Sequence, residues 1–401
     1  MKIVHITDCY LPQVGGIELH IRDLAAGQRA QGHDVIVATS TPAGEARPGS
    51  IATDLGEEIV RVGSRDRHWL DSIDADVVHV HLSVLSPFAL RMARYAATLG
   101  LPTVITVHSL WSDLARAAIV LRPLSGASAW PVVWTAVSEQ AAVHVRRLVG
   151  APVSVVPNAV DLDYWRPVAV AAAASAAARE GRAAEAPALA SGSVSGAGSA
   201  TSGRPTVLGV MRLTTVKRTL PLARMLHRVA READFDAVIV GDGPKRAALE
   251  RYLQRHHLDD RVTVTGALTR EQVREQMATA SIFIAPAWRE SFGIAALEAR
   301  TAGLPVLASS ISGVATFITH EVDGLLADSD AAMARQLTRL VTDHALREQI
   351  ATHNRDVVPD YGWEAALRTN AAAYRTAAAW SSRVGGLALA PVRPVSTGMV
   401  A

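Results

Sequence analysis

Apolar positions along this chain fall into short β-branched runs separated by stretches with helical spacing, and the alternation is played through twice. Residues 2–7 read as a buried first strand. A loop ending in Gly15-Gly16 follows, then a helix over 17–31 that turns Leu19, Ile21, Leu24 and Ala25 to one side. Gly32-His33 closes that helix, and residues 34–38 form the second strand. Further strands are predicted at 77–81 and 103–109, with a helix over 87–99 and a helix or lid over 110–124, and the segments 135–139 and 153–161 close the first block. The polar stretch 41–56 is turn-rich and predicts no element.

From 168 to 203 the composition collapses into Ala, Ser and Gly. Its alanine-rich first part has helix propensity, whereas residues 191–203 cannot build a core and read as flexible linker. The βα rhythm then resumes, with strands at 206–210, 237–240, 262–266, 281–285 and 306–308. A last helix starts near Tyr361-Gly362-Trp363, and a loose tail follows Val384. Strands alternating with helices in two separated blocks predict an α/β protein of two Rossmann-like domains. The glycine fingerprint of dinucleotide-binding domains is missing from the first block.

The stretch 286–309 carries the most chemistry. An apolar strand stops at Pro286, a polar turn ends in Ser291-Phe292-Gly293, and a helix runs from Ile294 and Ala295 through Glu298 to Gly303. A helix that begins on free backbone N–H groups beside a glycine is an anion site. Glu290 lies just before that helix and Glu298 about two turns into it, so each can meet hydroxyls on either side of a bound diphosphate. Arg212 and Lys217, five residues apart after a strand, are cations of the kind that bracket a diphosphate, one as a fork of donors and one as a point charge. In the first block Gly15-Gly16 permits close backbone approach at a helix start. His108 falls at the C-terminal end of a strand, where open α/β sheets place their ligands. His79 and His81 share one strand face, but no third ligand is in view and no metal site is expected.

Charge and composition narrow the partners. At 401 residues there is room for two cores, and a net charge of +2 gives no reason to expect nucleic acid. The single Cys9 excludes an internal disulfide and fits a reducing compartment. No run approaches the ~18 apolar residues of a membrane span. A cytoplasmic protein is expected, with peripheral contact at the inner face of the membrane left open by the mixture of Trp111, Trp130, Trp134, Arg116 and Arg122.

Glu-Ser-Phe-Gly-(x)4-Glu at 290–298, followed by Ala-Gly-Leu-Pro-Val, resembles the signature of nucleotide-sugar-dependent glycosyltransferases of family 4, which have the GT-B architecture. Arg212-Leu-(x)4-Lys217, Gly241-Asp-Gly-Pro and Pro157-Asn-Ala-Val-Asp161 resemble further parts of the same pattern. The likeness covers roughly 1–165 and 205–380. It departs at Ala159 and Arg218, where the family usually has glycine, and after Gly313, where relatives usually carry Glu.

The resemblance implies an acceptor-binding domain over 1–165, a linker over 166–204 and a nucleotide-sugar-binding domain over 205–360. A helix over 361–383 would cross back to the first domain, and 384–401 would be a flexible tail. It implies retaining transfer of a hexosyl group from a UDP- or GDP-linked donor to an acceptor hydroxyl on a lipid, glycan or small molecule, with no cofactor and no metal. Arg212, Lys217 and the amides of Gly293, Ile294 and Ala295 would hold the diphosphate, with Gly16 and Phe292 beside it. Glu298 would bind the ribose, backbone at Gly266 the base, and Glu290 the donor sugar. His108 would lie by the anomeric centre, and Gly15 and Glu18 toward the acceptor. An epimerase of the same architecture, a nicotinamide-dependent oxidoreductase and a non-catalytic nucleotide-sugar-binding partner are the competing readings.

Overall fold

The computed structural model describes residues 1–13, 15–43, 58–63, 66–111, 126–166, 168 and 204–384. The expectations for 44–56, for a lid over 112–124 with Arg116 and Arg122, for the linker over 169–203 and for the tail beyond 384 lie outside these residues.

The first block forms a parallel sheet ordered β3-β2-β1-β4-β5-β6-β7. Its strands are β1 (Lys2–Thr7), β2 (Asp34–Thr39), β3 (Glu58–Arg61), β4 (Val77–Leu82), β5 (Thr103–Val107), β6 (Val133–Ala136) and β7 (Val153–Val155). Every residue of β4 and β5 is buried, as expected for strands covered on both faces by helices. Helix α1 (Gly16–Ala30) follows β1, and α2 (Pro87–Thr98) follows β4. Asp8, in the loop after β1, accepts the backbone N–H groups of Phe88 and Ala89 at 3.0 and 2.9 Å. That carboxylate satisfies the open start of α2 and ties the two loops together where the strand order reverses. Helix α3 (Glu139–Val149) is capped by Ser138 and stopped by Gly150 at φ 67°.

The second block repeats the plan, ordered β10-β9-β8-β11-β12-β13. These strands are β8 (Thr206–Val210), β9 (Asp236–Val240), β10 (Val262–Gly266), β11 (Ile282–Ala285), β12 (Val306–Ser309) and β13 (Gly324–Ala327). The helices between and after them are α4 (Thr219–Val229), α5 (Arg246–Arg255), α6 (Arg270–Thr279), α7 (Ile294–Thr301), α8 (Asp330–Thr342) and α9 (His344–Asp356). Each sheet therefore has one reversal of strand order, between β1 and β4 and between β8 and β11, and ligands of such sheets bind at the strand ends there.

The chain passes between the domains at two neighbouring points. Val160 donates its N–H to the Tyr361 carbonyl at 2.9 Å. From there α10 (Trp363–Val384) lays Ala373, Tyr374 and Ala377 into the first domain's core beside Ile3, Ile21, Val35 and Val104. Ala159 is buried and is not among the residues with positive φ, so the alanine at this crossing costs no left-handed strain. Trp111 and Trp134 are buried, and Trp111 donates Nε1–H to the Ser83 carbonyl at 3.0 Å. Packing rather than an exposed face accounts for both. No helix of the described residues is long and apolar enough to cross a membrane.

Gly241, just after β9, shows how tightly the second sheet is joined to the loop that follows β8. It has φ +137°, and a Cβ there would stand 1.9 Å from the Met211 carbonyl oxygen. Gly241→Ala is expected to destabilise the second domain by ~3 kcal/mol and to lower its melting temperature by roughly 6–12 °C. A calorimetric scan showing an unchanged transition would contradict this packing.

Candidate active site

The loops at the second sheet's reversal point meet each other. Lys217, in the loop after β8, forms an ion pair with Glu290, in the loop after β11. Lys217 and Glu290 keep 33% and 18% of their side-chain exposure, so the pair is reachable from the cleft while its surroundings are largely dry. The Lys217 loop is shaped by Arg218, whose φ of 61° and ψ of 37° lie in the left-handed region. A glycine would take this conformation without cost, which is the physical sense of the glycine usual in relatives. Here the arginine is anchored by an ion pair to Asp330 and by stacking 4.9 Å from the centre of the Trp288 ring.

The Glu290 loop runs into α7 through Gly293. Its φ is 95°, and a Cβ at this position would meet Val314 Cγ2 at 2.5 Å. No side chain caps the helix, so its first N–H groups are open to an anion. Phe292 is buried and packs its ring 5.3 Å from Phe317 and 5.7 Å from Tyr361, fixing the loop from below. Gly313 N–H donates to the Glu290 carbonyl at 2.7 Å and fixes it from the side. Gly266, at the end of β10, accepts Gly241 N–H at 2.8 Å.

The first domain presents its own loops opposite. A Cβ on Gly15 would lie 2.5 Å from the Glu18 carboxylate and 3.4 Å from the Arg212 guanidinium, and one on Gly16 would lie 3.6 Å from Ile294. The Gly15-Gly16 turn therefore lies beside Arg212 and the start of α7 in the other domain. Glu18 is buried, and burial raises its pKa while its own N–H and Arg212 oppose the rise. His108 follows β5, is buried, and offers its carbonyl to the Ser291 hydroxyl across the cleft. Burial lowers its imidazole pKa to about 4, with the neighbouring Asn158 side chain acting the other way.

Glu298 stands a little apart, on the α7 face that looks toward α6 and α1. Burial pushes its pKa up to about 7, Arg270 opposes the shift and Asp23 adds to it. Arg270 itself bridges the domains, with Nη1 3.3 Å from Asp23 and its guanidinium over the rings of Tyr164 and Trp165 at 4.9 and 5.7 Å. Sequence reading passed over Arg270 and Asp23. Neither belongs to a local motif, and they are 247 positions apart.

The histidines are a second omission. Pairing of β1 with β4 sets His5 directly opposite His79, and ring nitrogens of His5, His79 and His81 lie within 4.8 Å of one another. The third imidazole that seemed to be missing comes from β1, where a polar residue inside the apolar run Ile3-Val4-His5-Ile6 was the available signal. The group contains no carboxylate, and all six ring nitrogens are engaged in hydrogen bonds to Gln28, Tyr374, Thr106, His108 or each other. A metal would have to break these bonds, so the residues are accounted for without one.

Comparison with known proteins matches both blocks. Residues 14–164 fit the model "Glycosyltransferase Family 4", and residues 197–357 fit "Glycosyl transferases group 1". The gpi3 subunit of the phosphatidylinositol N-acetylglucosaminyltransferase of Schizosaccharomyces pombe is 27% identical over 383 residues, covering 89% of this chain and 77% of that protein. The 2-deoxystreptamine glucosyltransferase of Streptomyces kanamyceticus is 28% identical over 295 residues, 70% of each chain. Among solved structures, Anabaena HepE in complex with UDP-glucose superimposes with a TM-score of 0.71 at 17% identity, over 94% of this chain and all of that one. With two consecutive family models spanning its two facing Rossmann-like domains, the chain is a GT-B glycosyltransferase related to family 4, an enzyme that transfers a sugar from a nucleotide-sugar donor to an acceptor hydroxyl.

Proposed function

We propose that the enzyme moves a hexosyl group from a UDP- or GDP-linked donor, with retention, to a hydroxyl of a cyclitol. The observation that carries the donor half is the Lys217–Glu290 pair beside the uncapped start of α7, with Arg212 in the same loop as Lys217 and Gly15 facing it across the cleft. In this reading the diphosphate lies between Arg212, Lys217 and the N–H groups of Gly293, Ile294 and Ala295. The bond from the anomeric carbon to the diphosphate oxygen breaks with its electron pair going to the diphosphate. The acceptor oxygen bonds to the same carbon, and its proton leaves with the diphosphate. Groups aimed at the developing negative charge supply the catalysis, each worth ~3 kcal/mol in typical cases. Glu290 exchanges Lys217 for donor sugar hydroxyls, His108 lies beside the sugar, Glu298 takes the ribose and the Gly266 backbone the base. Gly15 and Glu18 border the acceptor.

The acceptor class is supported by what the relatives' names share. Inositol and 2-deoxystreptamine are both six-membered carbocycles bearing several hydroxyls. The reaction belongs to the cytoplasm in this proposal, with peripheral membrane contact where a lipid carries the cyclitol.

Incubating the purified chain with UDP- and GDP-hexoses and either inositol or 2-deoxystreptamine, followed by mass spectrometry, is expected to yield a monoglycosylated cyclitol. Lys217→Ala and Glu290→Gln are each expected to reduce kcat/KM by ~100-fold or more while leaving the melting temperature close to that of the parent. Full activity in both variants would remove these residues from the site.

Glu298 adds a dependence on pH. Between about 4.5 and about 7 the unfolded chain releases the Glu298 proton and the folded one keeps it, so this residue's contribution to stability declines as pH rises through that window. Ribose hydroxyls donating to the carboxylate favour the ionised form, so nucleotide affinity is expected to rise as pH passes about 7. Titrations from pH 6 to 8 should show that rise in the parent and a flat profile in Glu298→Gln. Identical profiles would contradict a ribose role.

A further inference from the structure

Behind His108 an unbroken file of hydrogen bonds runs through the first domain, and its proton order can be deduced from one end. The Thr135 hydroxyl lies 3.1 Å from the Ile105 carbonyl, to which it can only donate. Thr135 Oγ1 therefore accepts from the Thr106 hydroxyl at 2.6 Å. With that proton committed, Thr106 accepts from His79 Nε2–H at 2.7 Å. A neutral imidazole has one N–H, so His79 Nδ1 is a lone pair and takes the Tyr374 hydroxyl proton at 2.8 Å. The Tyr374 oxygen accepts from the Gln28 amide at 2.8 Å, which turns the Gln28 oxygen toward His5 Nε2–H at 2.7 Å. His5 Nδ1 then accepts from His81 Nε2–H at 2.8 Å, and His81 Nδ1 from His108 Nε2–H at 2.9 Å. Each donor meets one acceptor.

The opposite proton order would abandon the bond from Thr135 to Ile105. It would also put the His108 proton on Nδ1, beside the Asn158 side chain, where neither Nδ1 nor Asn158 Oδ1 makes a hydrogen bond in the structure. Unpaired buried donors are rarer and costlier than unpaired acceptors. Burial of all four imidazoles lowers their pKa values, in agreement with neutral rings.

We propose that this file is a tautomer lock: it holds the proton of His108 on Nε2, so that Nδ1, buried in the structure as it stands, is kept as a hydrogen-bond acceptor for a hydroxyl of the donor sugar. His81, His5, Gln28 and Tyr374 are then positioning residues for transfer. Two of them stand on helices that pack against this sheet, Gln28 on α1 and Tyr374 on α10. Through Tyr374, the helix that returns from the second domain is bonded into the file that ends at the cleft. The functional half of the proposal rests on the reading of His108 given above. The tautomer itself does not.

The test uses the full chain labelled with 15N-histidine and long-range 1H–15N correlation near pH 7. The expected result is Nε2–H for His5, His79, His81 and His108. His81→Phe keeps a flat ring in the same space and deletes both of its links. His81→Gln restores them, because its oxygen can accept from His108 while its amide donates to His5. The phenylalanine variant should show His108 released from its single tautomer and kcat reduced by ~10–100-fold at unchanged donor KM, with most of the rate recovered in the glutamine variant. Should His81→Phe fail to fold, Tyr374→Phe examines the far end, where His79 is expected to lose its single tautomer. A His108 carrying its proton on Nδ1 in the parent protein overturns the lock whatever the activity. Unchanged kcat in His81→Phe overturns the positioning role. The expected tautomers in a protein without transferase activity uphold the lock and sink only the reading of the site.

Discussion

Two buried parallel sheets aim the ends of their strands at one cleft, and this constraint decides where everything else must stand. In a parallel sheet all strands deliver their loops to the same edge, and the loops on either side of a reversal diverge and leave a crevice. Lys217 and Glu290 come from the two loops on either side of the second reversal. Asp8 bridges the corresponding loops of the first sheet. The cation, the carboxylate and the open helix start are thus carried by strand termini and not by long free loops. Groups placed this way need little reorganisation when charge develops.

The cleft is held by contacts that differ in kind. Ser291 to the His108 carbonyl and Thr316 to Gln140 are single hydrogen bonds between the domains. Arg270 combines an ion pair to Asp23 with ring stacking on Tyr164 and Trp165, beside the segment where the chain first leaves the domain. The long return of α10 buries Ala366, Ala373 and Ala377, together with the polar Asn370 and Tyr374. The helix supplies attachment by buried area. Two of the polar contacts, at His108 and beside Glu298, also touch the groups proposed to meet the donor.

Much of the second domain's half of the site is legible in the sequence because its determinants are local. Glu290, Gly293 and Glu298 lie within one strand–turn–helix, and Arg212 and Lys217 within one loop, so spacing along the chain already describes spacing in space. Gly293 is readable for a steric reason that the structure makes concrete, the Val314 methyl behind it. Arg218 was a departure from pattern in sequence and became an αL residue held by Asp330 and Trp288 in structure. The histidine file is the opposite case. His5 and His79 sit on β1 and β4 and His108 just past the end of β5, and only the pairing register of these strands brings them together. Register between distant parallel strands is not written in any one of them. Arg270 and Asp23 were hidden for the same reason, since their contact exists only once the domains face each other.

On this reading the crevice recognises a nucleoside diphosphate chiefly through its phosphates. Calorimetric titration of the full chain with UDP, UMP and uridine, and with the guanosine series, tests it most directly. A bonded cation–phosphate contact contributes ~1.5–3 kcal/mol. For the base that binds, the diphosphate is therefore expected to be held about 100-fold more tightly than the monophosphate. Equal affinity for diphosphate and monophosphate, or binding of neither series, would contradict it.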